Sequence, residues 1–109
     1  MDLCLIYITT ASREEATAIG RTLVEERLAA CVNIFERMTS IYRWQGAIEQ
    51  AEEAVLIAKT RPELVEPLTK RARSLHSYTT PCIIELPVGR VNPDYRDWLL
   101  AETGPLWVT

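Results

Sequence analysis

Cys31-Val32-Asn33-Ile34-Phe35-Glu36-Arg37-Met38-Thr39-Ser40-Ile41-Tyr42-Arg43-Trp44, then Gln45-Gly46, then a second run from Ala47 to Thr60, is the stretch that decides the fold. The first arm is rich in β-branched and aromatic residues and contains neither proline nor glycine; Gln45-Gly46 is its strong turn signal. The pattern predicts one β-hairpin. At roughly 3.3 Å per residue each arm reaches about 45 Å, whereas a compact chain of this length has a radius of gyration of about 13 Å. Typical strands run about five or six residues. A hairpin this long has to project from its domain, bend at a bulge, or do both. A projecting apolar hairpin needs a partner, which predicts an obligate oligomer.

The remainder of the chain bounds the class. Its 109 residues suffice for one core, so residues 1–109 are expected to form a single domain. Composition is ordinary for a globular protein, 48% hydrophobic and 25% charged, with a net charge of -3. The basic residues are scattered among acids, without the stripe that nucleic-acid binding requires. No apolar run approaches the roughly eighteen residues of a membrane span, so neither nucleic acid nor membrane is an expected partner. Leu3–Ile8 lacks a basic preceding region and a cleavage site, and reads as a strand instead of a signal peptide. Cys4, Cys31 and Cys82 are odd in number and widely spaced, which points to free thiols and a reducing cytoplasm.

Outward from the hairpin, Leu3 to Thr9 reads as a central strand. Ser12 and Glu15 form a capping box that opens a helix with Ala16, Ile19, Leu23 and Leu28 on its apolar face, ending near Ala29-Ala30. Pro62 stands at a favoured first helical position ahead of a second helix with Leu64, Val65, Leu68, Ala72 and Leu75 on its stripe. Pro67 lies early in that pattern, so the helix is expected to begin irregularly or to kink. Cys82–Leu86 is a fourth strand, Asn92-Pro93-Asp94 starts a third helix, and Gly104–Thr109 is a short edge strand or an extended segment. The order βαββαβ plus a short helix predicts an α+β, ferredoxin-like antiparallel sheet with two helices on one face. A wet second face would alternate apolar and polar residues. Leu3–Ile8 and Ala54-Val55-Leu56-Ile57-Ala58 are instead apolar at successive positions, so both faces are expected to be dry. With no segment left over to cover the second face, another subunit is the expected cover.

At this point several blocks carry a resemblance. Leu23–Ile34, Ser40-Ile41-Tyr42-Arg43-Trp44-Gln45-Gly46, Lys59-Thr60 and His76-Ser77-Tyr78-Thr79-Thr80-Pro81 resemble the CutA family of divalent-cation tolerance proteins, in order along nearly the whole chain. The resemblance implies a ferredoxin-like homotrimer whose sheets pack around a three-fold axis and whose hairpins reach across to neighbours. It implies a role in response to copper and other divalent metal ions, a likeness to the PII signalling trimers, no established reaction and no required cofactor. Animal members are linked to the anchoring of acetylcholinesterase. The family's usual His-Pro-Tyr block stands here as His76-Ser77-Tyr78. Leu75 and, approximately, Thr9 occupy places where some bacterial members have a second histidine and a cysteine, so the simplest copper constellation is not reproduced.

Copper(I) prefers sulfur ligands, while copper(II) and zinc take imidazole readily. His76 and Cys31 are the candidate metal contacts. The competing readings are a capping or exposed histidine at the end of the second helix, and packing for Cys31. Cys4 and Cys82, in apolar strands, read as small buried hydrophobes. A second cluster comprises Tyr42, Trp44, Lys59 and Tyr78, with Glu52 and Glu85 as neighbours. An ammonium following five apolar residues needs a carboxylate or an anionic ligand. Tyr42 and Trp44 share one face of the hairpin tip, either as interface anchors or as walls of a cleft between subunits. No nucleophile-base pair or phosphate loop is legible, so no enzyme is expected. The expected function is divalent-cation tolerance by a cytoplasmic homotrimer that binds copper or another divalent cation weakly. The alternatives are a PII-like sensor of a small anionic ligand at the intersubunit cleft and a non-catalytic interaction scaffold.

Overall fold

The computed structural model describes residues 2–105; the expected tail segment beyond residue 105 lies outside the described residues. The elements follow in the order β1 (Cys4–Thr10), α1 (Arg13–Glu25), β2 (Cys31–Trp44), β3 (Ala47–Thr60), a 3-10 turn (Pro62–Leu64), α2 (Val65–Leu75), β4 (Ile83–Pro87) and α3 (Pro93–Ala101). The strands form one four-stranded sheet in the order β2-β3-β1-β4, antiparallel at every pairing. The α+β class and the expected element order are those observed.

Local chemistry sets each boundary. The Ser12 hydroxyl accepts the Glu15 N–H at 3.1 Å, and the Glu15 carboxylate reaches back to the Ala11 N–H at 2.9 Å. This is a capping box displaced by one residue, and it opens α1 where expected. The helix ends at Glu25, earlier than the expected Ala29-Ala30, because Arg27 turns into the left-handed region at φ 62. That turn is uncommon for an arginine. It is held by the Arg27 guanidinium, which donates to the Gly104 and Ala101 carbonyls at 2.6 and 2.7 Å, while the Gly104 N–H donates to the Arg27 carbonyl at 2.9 Å. One strained residue thereby ties the exit of α1 to the end of α3, where a cation also suits the helix dipole. The second helix begins irregularly, as a 3-10 turn at Pro62. Pro67 is the third residue of α2, where its missing N–H forfeits no helical bond.

The hairpin both projects and bends. Each arm has fourteen residues. The turn residues Gln45 (φ 50) and Gly46 (φ 83) both lie in the left-handed region, which suits the right-handed twist of a tight hairpin. The register shifts between Phe35 and Met38, with Arg37 at φ 63, marking a bulge that redirects the outer half of the arm. The principal extents are 48 × 27 × 21 Å and the radius of gyration is 14.7 Å, above the compact expectation.

The two faces of the sheet differ. Ile6 and Ile8 of β1 with Leu56 and Ala58 of β3 point toward the helices and pack with Ile19, Leu23, Leu68 and Ala72, all fully buried. Gly20 allows α1 to lie close on the sheet: a Cβ there would sit 2.9 Å from Val32 Cγ2. The opposite face carries Leu5 and Tyr7, Ile57 and Lys59, Phe35, and Ile84 and Leu86 in register. Phe35 is 58% exposed and Ile84 50%. The chain does supply a partial cover, contrary to expectation: α3 buries Leu99 against Leu3 and Ala30 at one end of this face. The rest stays open.

Candidate functional site

Where the hairpin leaves the sheet, an open cavity of about 650 Å³ forms between the outer arm and the loop before β4. Its lining comes from β1 (Tyr7, Thr9), from the part of β2 beyond the bulge (Met38 to Tyr42, and Trp44), from Glu53 of β3, and from Tyr78, Thr79, Thr80 and Cys82. This volume lies in the usual range for small-molecule sites, roughly 300–1,000 Å³. The register explains who meets whom. Met38 pairs with Glu53 across the hairpin, and the Tyr7 hydroxyl donates to the Met38 sulfur at 3.5 Å.

Tyr78 and Glu53 form the polar centre. The Tyr78 hydroxyl donates to Glu53 Oε2 at 2.7 Å. Burial pushes the Tyr78 phenol well above its ordinary value and the Glu53 carboxylate pushes it further, so the phenol stays protonated and serves as donor. Behind it stands His76, whose side chain is fully buried. Its Nδ1 accepts the Tyr78 N–H at 3.1 Å, which leaves Nε2 as the donor to the Thr9 carbonyl at 2.8 Å. This tautomer follows from the hydrogen-bond network. The rings of His76 and Tyr78 lie 4.8 Å apart. Glu15 completes the support by accepting the Ser77 N–H at 2.7 Å. Burial raises the Glu15 carboxyl, but hydrogen bonds from Ala11 and Ser77 and the nearby His76 outweigh it and hold the group below the usual carboxylate range.

Three of the five expected cleft residues, Tyr42, Trp44 and Tyr78, line this cavity together. Glu52 does not; its side of β3 borders a separate shallow depression with Arg13 and Arg37, and the neighbouring Glu53 supplies the carboxylate. Lys59 lies far along β3, paired with Leu5 and Cys31, and its ammonium sits 5.5 Å from the centre of the Tyr95 ring. A cation-π contact therefore takes the place of the expected carboxylate or anion. Glu85 pairs with Ile6 on the helix-facing side, outside the cleft.

The metal candidates are also dispersed. Cys31 pairs with Lys59 at one end of the sheet, while His76 contacts Thr9 at the other, so one chain does not bring them together. His76 is the C-cap of α2, its N–H reaching the Arg73 carbonyl, but the expected exposure gives way to burial, with both ring nitrogens engaged in a link between Thr9 of β1 and the loop before β4. Cys31 is partly exposed and makes a single weak contact, 3.9 Å to the Val32 carbonyl. Burial, aided by Glu85, pushes the Cys4 thiol up to about 11, in keeping with a small buried hydrophobe. Among the described residues no three of His, Cys, Asp and Glu group as a metal site. Tyr7 and Met38 escaped the sequence reading as site residues, whereas the acidic run after the turn, Glu49 to Glu53, reads as a solvated edge or as intersubunit ion pairs, with weak cation binding next. Strand alternation puts Glu53 on the face of Val55, but the bulge that sets Met38 opposite it carries no glycine or proline to announce it.

Comparison with known proteins fixes the family. The model of the CutA1 divalent ion tolerance protein family matches residues 4–102. A divalent-cation tolerance protein CutA from Thermus thermophilus is 47% identical over 100 residues, covering 92% of this chain and 97% of that protein. A solved structure of divalent cation tolerance protein CutA1 from Thermus thermophilus superposes with a TM-score of 0.91 at 46% identity, covering 94% of this chain and 99% of that one. The structure of an Archaeoglobus fulgidus protein described as periplasmic divalent cation tolerance protein CutA gives a TM-score of 0.89 at 43% identity, over 92% and 97% of the two chains. From family model, relatives and fold alike, this chain belongs to the CutA1 family of divalent ion tolerance proteins.

Proposed function

We propose that the protein contributes to divalent-cation tolerance as a cytoplasmic, non-enzymatic homotrimer of ferredoxin-like subunits. One observation carries the assembly: an apolar sheet face, continuous with a projecting hairpin, that α3 covers only at one end. Phe35, Ile84 and Leu86 are 58, 50 and 38% exposed, so burial by a partner would recover roughly half of the about 1.5–3 kcal/mol that fully burying a large apolar side chain supplies. A three-fold arrangement of copies covers each open face with the next and leaves no face over. The three free thiols support a reducing compartment. A divalent ion is the ligand the family name points to, and copper is the one the sequence resemblance implies. The dispersed donors support weak binding, with Cys31 the freer contact and His76 available only by giving up a hydrogen bond.

Titration calorimetry with copper(II) and zinc on the wild type, Cys31→Ala and His76→Ala tests the metal part. Binding weakened by Cys31→Ala supports the assignment, whereas binding that neither variant changes sinks both donors.

The aromatic cavity favours a second reading, a PII-like sensor that takes a small ligand at the subunit seam. The position of Lys59 outside the cavity removes the ground for an anion there.

A further inference from the structure

The cavity beside the hairpin has a charge character opposite to that of an anion site. Its walls include four aromatic rings, Tyr7, Tyr42, Trp44 and Tyr78, together with the thioether of Met38. Glu53 is the one charged residue lining it among the described residues, and no lysine or arginine takes part. Aromatic faces carry partial negative charge and attract cations within about 6 Å of the ring centre. A carboxylate in an apolar, aromatic surround is costly unless a cation or donors reach it. Glu53 has one donor, the Tyr78 hydroxyl on Oε2, and its other oxygen makes no hydrogen bond within the described residues. The Glu53 carboxylate borders this cavity on one side and the depression with Arg13 and Arg37 on the other.

We propose that this cavity binds an organic ammonium cation with an apolar body, its N–H groups on the free oxygen of Glu53 and its body among Tyr42, Trp44 and Tyr78. The assignment rests on the reading of the cavity as a ligand site. A hard divalent ion is a poorer fit, because it demands several oxygen ligands and the lining supplies one carboxylate. A small anion is poorer still: it meets Glu53 and the ring faces with no compensating cation.

The test uses three ligands that share a phenyl body and differ in charge: phenethylammonium, 2-phenylethanol and phenylacetate, titrated calorimetrically into the assembled protein at pH 7. Phenethylammonium is expected to bind at least about tenfold tighter than the alcohol, a difference of about 1.4 kcal/mol, with phenylacetate weakest. Glu53→Gln keeps an acceptor for Tyr78 and is expected to abolish the preference for the ammonium. Trp44→Ala, at a half-exposed position on the hairpin tip, is expected to weaken all three alike. Phenylacetate binding as tightly as the ammonium would overturn the cation assignment while leaving a ligand site in place. No binding of any of the three, with the mass of the assembly unchanged, would overturn the assignment and the ligand-site reading together. An ammonium preference that survives Glu53→Gln, with affinities that Trp44→Ala leaves unchanged, places the ligand elsewhere and overturns the assignment equally.

Discussion

The two faces of this sheet are built from the same strands and nearly the same residue types, yet they differ in what completes them. On one face Ile6, Ile8, Leu56 and Ala58 meet α1 and α2 and are fully buried. On the other, Ile57, Phe35, Ile84 and Leu86 are equally apolar and face outward from β3, β2 and β4. Only the Leu3 end is closed, by Leu99 of α3. Hydrophobicity thus marks burial on both faces but does not say who provides it. On the closed face stability belongs to the single chain, and in the proposed trimer the open face would draw its stability from the assembly and so depend on concentration.

The comparison breaks most visibly at Ile84. Within one chain Ile84→Asp lies on a half-exposed surface and is expected to change stability by at most about 0.5 kcal/mol. Inside an assembly it buries an unpaired carboxylate in every subunit, so dissociation to monomer at micromolar concentration is the expected outcome, read by light scattering. Leu56→Ala, on the closed face, is expected to cost about 2–5 kcal/mol by cavity formation. Urea titrations of subunits already made monomeric by Ile84→Asp should show the loss undiminished. The hairpin tip adds a smaller effect. Gly46→Ala forces a Cβ into φ 83 with nothing for it to pack on, and a loss of about 1 kcal/mol is expected in chemical denaturation.

The smallest effect is a pH dependence beneath the cleft. The Glu15 carboxyl is depressed in the folded state, so its contribution is complete above the ordinary glutamate value of about 4.3 and fades as pH falls through the lower folded value. Glu15→Gln should flatten the acid limb of the stability profile, measured as melting temperature between pH 3 and 6. A limb left unchanged would show that Glu15 does not tie the Ser77 loop to α1.

Legibility followed the range of the interactions. The hairpin, its Gln45-Gly46 turn and the Ser12 cap are short-range features, and all were readable from residue type and spacing. The end of α1 was not, because Arg27 is held in its left-handed turn by carbonyls of Ala101 and Gly104, far along the chain. The cleft was half legible. Tyr42 and Trp44 lie two residues apart on one strand, and alternation predicts their shared face. Tyr78 joins them through the loop before β4, whereas Met38 is set opposite Glu53 by a bulge in β2 that residue types do not signal. Lys59 was assigned a partner by charge alone, and the ring of Tyr95 took that place from a helix without a strong amphipathic pattern.

The mass of the wild-type protein in solution tests the central claim most directly. Sedimentation equilibrium at micromolar concentration should give three times the 12.4 kDa of one chain, about 37 kDa, with no monomer detected. A stable species of 12.4 kDa would contradict it, because the open face would then be a surface that the chain tolerates in water.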